Sequence, residues 1–100
     1  MTAEPGLDDF FAATPDQVSA DLSGEVVILG MRDGIYYGVD NAGARIWSLL
    51  QQPMRLSSVV EALVAEFDVE TAQCSADVLA FVGALEAKGL VARVAAEPAA

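Results

Sequence analysis

The chain has no histidine, a single cysteine, and 5 basic residues against 15 acidic ones in 100 positions. Without histidine there is no imidazole to shuttle a proton, so His-dependent triads are excluded. Cys74 alone cannot close an intrachain disulfide, and no zinc site of the common Cys/His type can assemble around it. Its place within an apolar helical pattern reads as a small buried hydrophobe. The bases Arg32, Arg45, Arg55, Lys88 and Arg93 stand singly, and the net charge is −10. A phosphate-tracking surface needs clustered cations, so nucleic acid is not an expected partner. No GxGxxG or GK[ST] run supplies a phosphate cradle. Glu61, Glu66, Asp68 and Glu70 fit no calcium loop, so no metal or other cofactor is expected. The N-terminus lacks a basic-then-apolar layout, and no apolar run reaches spanning length. The expected compartment is the cytoplasm, with no membrane partner. Binding is a better class than catalysis.

Residues of types AVILMFWYC make up 54% of the chain while aromatics make up only 7%. One domain with a compact core of modest side chains follows. Residues 1–15 are small, acidic and Pro/Gly-rich and read as a flexible lead-in, from which Leu7, Phe10 and Phe11 are candidates to dock; residues 16–95 form the domain. Val18, Ala20 and Leu22 alternate with Ser19 and Asp21, the pattern of a half-buried strand. Ser23-Gly24 marks a turn, and Glu25 to Leu29 is a second, β-branched strand. Asp33-Gly34 is a hairpin cue, and Ile35 to Val39 is the third strand. The alternation becomes helical at Asp40-Asn41, where Asp40 is placed to cap a helix running to Gln51 before Pro53. Ser58-Val59-Val60-Glu61 matches a capping box and starts a second helix. A third spans Thr71 to Lys88, ended by Gly89, and Leu90 to Val94 closes the domain as a short strand. The tail after Val94 is expected to be loose. The fold class is α+β: a three-stranded antiparallel sheet on a winged-helix-turn-helix-like trio of helices.

A functional surface emerges from the third strand. In a meander it lies at an edge, and it has neither proline nor charge within it to discourage an added strand. Ile35, Tyr36, Tyr37, Gly38 and Val39 are therefore candidate peptide-binding residues, with Arg32 on their approach. Strand alternation sends Tyr36 and Tyr37 to opposite faces without saying which faces outward. The third helix is the candidate second wall, through Asp77, Val78, Phe81, Val82 and Leu85. The competing reading of its apolar members is plain core.

These residues carry a family resemblance. VVILGMRDGIYYGVD, NAGARIW at 41–47 and FVGALEAKGLV at 81–91 resemble the PqqD-like proteins, or leader-peptide recognition elements, over Val26 to about Val94. The resemblance implies three strands on a winged-helix trio. It also implies capture of a precursor's leader as a strand beside Ile35–Val39, against Asp77, Val78, Phe81, Val82 and Leu85. The chain looks most like the separate recognition protein of split-B lasso-peptide pathways. Such a protein presents its precursor to a transglutaminase-like cysteine protease, the leader peptidase, and then to an ATP-dependent cyclase. A pyrroloquinoline-quinone-type precursor chaperone is the similar alternative. A winged-helix transcription regulator and a structural subunit that lends its edge to a permanent partner are alternatives of other classes.

Overall fold

Two small antiparallel sheets and three helices make up the fold of residues 4–95, which the computed structural model describes. In chain order they are β1 (Phe10–Ala13), β2 (Gln17–Leu22), β3 (Glu25–Gly30), β4 (Tyr36–Asp40), α1 (Asn41–Leu49), β5 (Met54–Arg55), α2 (Leu56–Phe67), α3 (Thr71–Ala87) and β6 (Val91–Val94). The expected α+β class holds: the sheet β2-β3-β4 packs on the helices through Val26 and Ile28, which share one core with Ile46, Trp47, Leu63, Val78 and Val82. No helix among the described residues is long and apolar enough to cross a membrane.

The meander forms where the turn chemistry points. Ser23 (φ 57°) and Gly24 (φ 90°) are both left-handed, as a two-residue type I′ turn requires, and they set Leu22 opposite Glu25. Between β3 and β4 the loop turns at Gly34 (φ 69°), and the Asp33 carboxylate accepts the Ile35 N–H at 3.0 Å. That bond keeps Ile35 in the loop, so the third strand runs from Tyr36 to Asp40, one residue later than expected.

Strand β2 is inverted relative to its apolar alternation. Register, not hydrophobicity, decides its faces. Ser19 pairs with buried Ile28 and so lies on the helix-facing side of the sheet, where, though still exposed, its hydroxyl accepts the Trp47 indole N–H at 3.2 Å. Val18, Ala20 and Leu22 point to solvent.

Both expected N-caps are absent. Asp40 precedes α1 but makes no side-chain cap bond, and the helix stops at Leu49 rather than Gln51. Helix α2 begins at Leu56, before Ser58, so the capping box has no helix end to serve. Its first donors are satisfied by main chain instead: Leu56 N–H bonds to Asp9 O at 3.0 Å and Ser57 N–H to Leu7 O at 2.9 Å. The end of α3 is as expected. Gly89 (φ 74°) lets its own N–H reach Glu86 O and the Leu90 N–H reach Leu85 O, both at 3.0 Å, a Schellman motif.

The lead-in differs most from expectation. Phe10–Ala13 is the middle strand of the second sheet, β5-β1-β6, with Phe10 opposite both Arg55 and Val94. Phe11 is 0% exposed and belongs to the core. The docking capacity of Leu7, Phe10 and Phe11 outweighs the small, acidic composition around them. Residues 1–3 and the tail from Ala96 onward lie outside the described residues.

Candidate functional site

Strand β4 is the edge of its sheet. Gly30 N–H bonds to Ile35 O at 3.0 Å, so at this opposed pair the main-chain groups of the two residues face each other across the ladder. Antiparallel pairs alternate, hence Tyr37 and Val39 also turn their main-chain groups toward β3. Tyr36 and Gly38 turn theirs to the open edge. A Cβ built on Gly38 meets no atom within 4 Å.

Side chains of β4 alternate in step. Tyr36 is 70% exposed on the outer face, which settles the ambiguity between the tyrosines. Tyr37 and Val39 are half-buried toward the helices. Tyr37 donates its hydroxyl to the Asp33 carboxylate at 2.7 Å, and the Lys88 ammonium sits 5.5 Å from its ring centroid. The Ile35 N–H, then the Tyr37 hydroxyl, hold the Asp33 carboxyl below the usual aspartate range. The same tyrosine bond pushes the Tyr37 phenol up.

Helix α3 forms the opposite wall of a furrow beside β4. Phe81 reaches across toward the start of α1: a Cβ on Gly43 would stand 3.4 Å from the Phe81 ring and 3.6 Å from Val39 Cβ. The bare Gly43 thus leaves room for Phe81 to floor the furrow, next to Val39. One turn earlier Asp77 accepts the Gln73 amide N–H at 3.0 Å. Beyond the C-terminal end of β4 the furrow opens into an apolar cavity of about 250 Å³. Asn41, Ala42 and Ile46 of α1, Leu63 and Phe67 of α2, Val69, and Gln73, Cys74, Asp77 and Val78 of α3 line it.

Of the sequence-derived candidates, Tyr37, Gly38, Val39, Asp77 and Phe81 come together along this furrow, and Tyr36 lends its main-chain groups from the edge. Val78 is buried but lines the cavity. Val82 and Leu85 are fully and nearly fully buried, so they support the wall from within and present no surface. Ile35 lies before the strand and is exposed. Arg32 stands apart, folded over Gly89 with its Nη1 2.7 Å from a built Cβ there and its Nε 3.9 Å from the Asp16 carboxylate.

Gln73, Phe67, Val69 and Lys88 were not among the sequence-derived site residues, and Gly43 entered only within the NAGARIW resemblance. Gln73, Asp77 and Phe81 recur at i, i+4 and i+8, with Lys88 seven further on, a signal rotated from the more apolar stripe that includes Cys74 and Val78. Cys74 is buried, as expected; burial, then the neighbouring Asp77 charge, push its thiol up, which keeps it unreactive.

Residues 25–91 match the family model described as coenzyme PQQ synthesis protein D (PqqD). The structure is similar to that of TbiB1 in complex with the TbiA(beta) leader peptide, with a TM-score of 0.78 and 37% identity, over 84% of this chain and 98% of that one. It is also similar to a lasso peptide synthetase B1 complexed with its leader peptide, with a TM-score of 0.68 and 25% identity, over 82% of this chain and 96% of that one. No curated protein matches the chain significantly.

Proposed function

The chain belongs to the PqqD family, and on that footing we propose that it is a non-catalytic adaptor for the leader of a ribosomally made precursor, of lasso-peptide type. The leader adds as a strand along β4, bonding to the free N–H and C=O groups of Tyr36 and Gly38. Its inward side chains settle on Val39 and Phe81, and an apolar anchor enters the cavity beside Cys74 and Val78. Asp77 meets polar leader atoms at the rim. Each main-chain bond is worth about 1 kcal/mol, so the cavity must provide much of the affinity and the selectivity.

The observation that carries this reading is the unguarded β4 edge running into an apolar cavity. The two similar structures, both leader complexes, support it. The adaptor then hands its precursor to a leader peptidase of the transglutaminase-like cysteine protease class and to an ATP-dependent cyclase. Neither α2 nor α3 contains a basic residue, which disfavours a DNA-reading winged helix.

Titration of the purified chain with the leader from its own gene neighbourhood, followed by Trp47 fluorescence or calorimetry, is expected to show saturable 1:1 binding. No binding at several hundred micromolar overturns the reading.

A further inference from the structure

The furrow is charged unevenly along its length, in a chain with only 5 basic residues. Arg45 is bonded to Glu66, and Arg55 and Arg93 lie on the second sheet, over the rings of Phe10 and Phe11. The other two, Arg32 and Lys88, gather around Gly89 at the Tyr37 end of the furrow. Lys88 stands over the Tyr37 ring, and Arg32 is folded over Gly89. Lys88 is exposed, and among the described residues no carboxylate lies within ion-pair distance of its ammonium. Asp33 nearby has both carboxylate oxygens committed, one to the Ile35 N–H and one to the Tyr37 hydroxyl. At the other end the sign reverses: Asp77 lines the cavity, and Asp40 closes β4.

We propose that Lys88, with Arg32 behind it, binds a carboxylate of the leader, and that the leader carries an aspartate or glutamate four residues after its apolar anchor. The inference rests on the strand-addition reading and deepens it. The spacing follows from two lengths. At about 1.5 Å per helical residue, about 15 Å separates Val78, in the cavity, from Lys88. At about 3.3 Å per strand residue, about 13 Å separates Tyr37 from Asn41. An added strand covers either length in about four residues, and alternation demands an even number if anchor and acid both face the helices. Antiparallel addition, the better-bonded arrangement, runs the leader from the cavity toward Lys88. A reversed leader would set its acid against Asp40 and Asp77. A lysine at a helix C-terminus also complements the helix dipole, but that role is indifferent to charge on the leader.

The full chain is titrated calorimetrically with the leader from its own gene neighbourhood, whose anchor is the apolar residue at which alanine costs most affinity. K88E is expected to melt as the parent does and to bind that leader at least tenfold more weakly. K88Q keeps most of the stem over Tyr37, is expected to lose about threefold, and serves in place of K88E if the latter melts early. A leader whose acid at the stated spacing is changed to lysine is expected to bind the parent at least tenfold more weakly and to regain most of that loss on K88E. R55E makes the same charge change on the second sheet and is expected to stay within twofold of the parent. Parental affinity in folded Lys88 variants overturns the proposal. So does an equal loss in R55E, which assigns the effect to net charge, and so does a leader that binds without an acid at that spacing. Each of these leaves the strand-addition reading intact. Failure of the parent to bind leader removes that reading, and this one with it.

Discussion

The two long sides of α3 are built from the same helix and serve opposite ends. On one side Val78, Val82 and Leu85 are packed away, and what they contribute is cohesion. On the other, Gln73, Asp77, Phe81 and Lys88 stand along the furrow, and what they contribute is reach. A hydrophobic pattern alone merges the two sides, because Phe81 is as apolar as Val82. What separates them is the neighbour: bare Gly43 opens a place for one ring, while the closed core surrounds the other side chain.

The widest separation is expected from Leu85→Ala against Phe81→Ala. Loss of Leu85 leaves a core cavity and costs about 2–5 kcal/mol, read as a lower melting temperature or denaturant midpoint. Phe81→Ala is expected to melt closer to the parent while binding leader about tenfold more weakly. Equal stability losses with unchanged binding would erase the distinction.

The edge strand admits the same kind of split. Val39 faces the β3 ladder and Gly38 faces the open edge, so Val39→Pro is expected to disrupt the sheet. Gly38→Pro is expected to stay folded by circular dichroism and to lose about fivefold or more in leader affinity, since one donor worth about 1 kcal/mol disappears. A folded Gly38→Pro chain with parental affinity argues against strand addition at β4.

Smaller effects report on the two ends of the furrow. Cys74 lines the cavity with a thiol whose ionisation is pushed up, so alkylation followed by mass spectrometry is expected to be slow at neutral pH. Saturating leader is expected to slow it further; an unaltered rate would leave the cavity out of the binding site. At the other end, Asp33→Asn is expected to bring the Tyr37 phenol back down toward its ordinary value, seen by ultraviolet titration. The Asp33 carboxyl is lowered in the fold, so its contribution is in place at neutral pH and fades as pH falls through that lowered value. Melting curves of parent and D33N are expected to converge in acid.

Much of this was legible beforehand because local chemistry and fold agree. Ser23-Gly24, Gly89 and the switch from alternation to helical spacing at Asp40-Asn41 each act within a few residues, and each appears where the sequence puts it. The misreadings arose where a distant partner decides. The faces of β2 follow from Ser19 standing opposite Ile28, which no count of apolar residues along β2 reveals. Ser58 and Glu61 spell a capping box, but the carbonyls of Leu7 and Asp9 take the start of α2 two residues earlier. The candidate site divided likewise: the edge position of β4 and the nearness of Phe81 to Val39 follow from elements legible in the sequence, whereas the cavity is assembled from three helices and exists only once they meet.

The pairing of Phe10 with Val94 joins the first strand of the described residues to the last. A chain emerging from a ribosome cannot close that sheet until its final strand is free, so β1 waits for most of synthesis without its longer neighbour. Contacts so distant in sequence form slowly. Closure of this sheet thus waits on the emergence of Val91–Val94, and any segment joined after them needs enough slack to leave that strand unhindered.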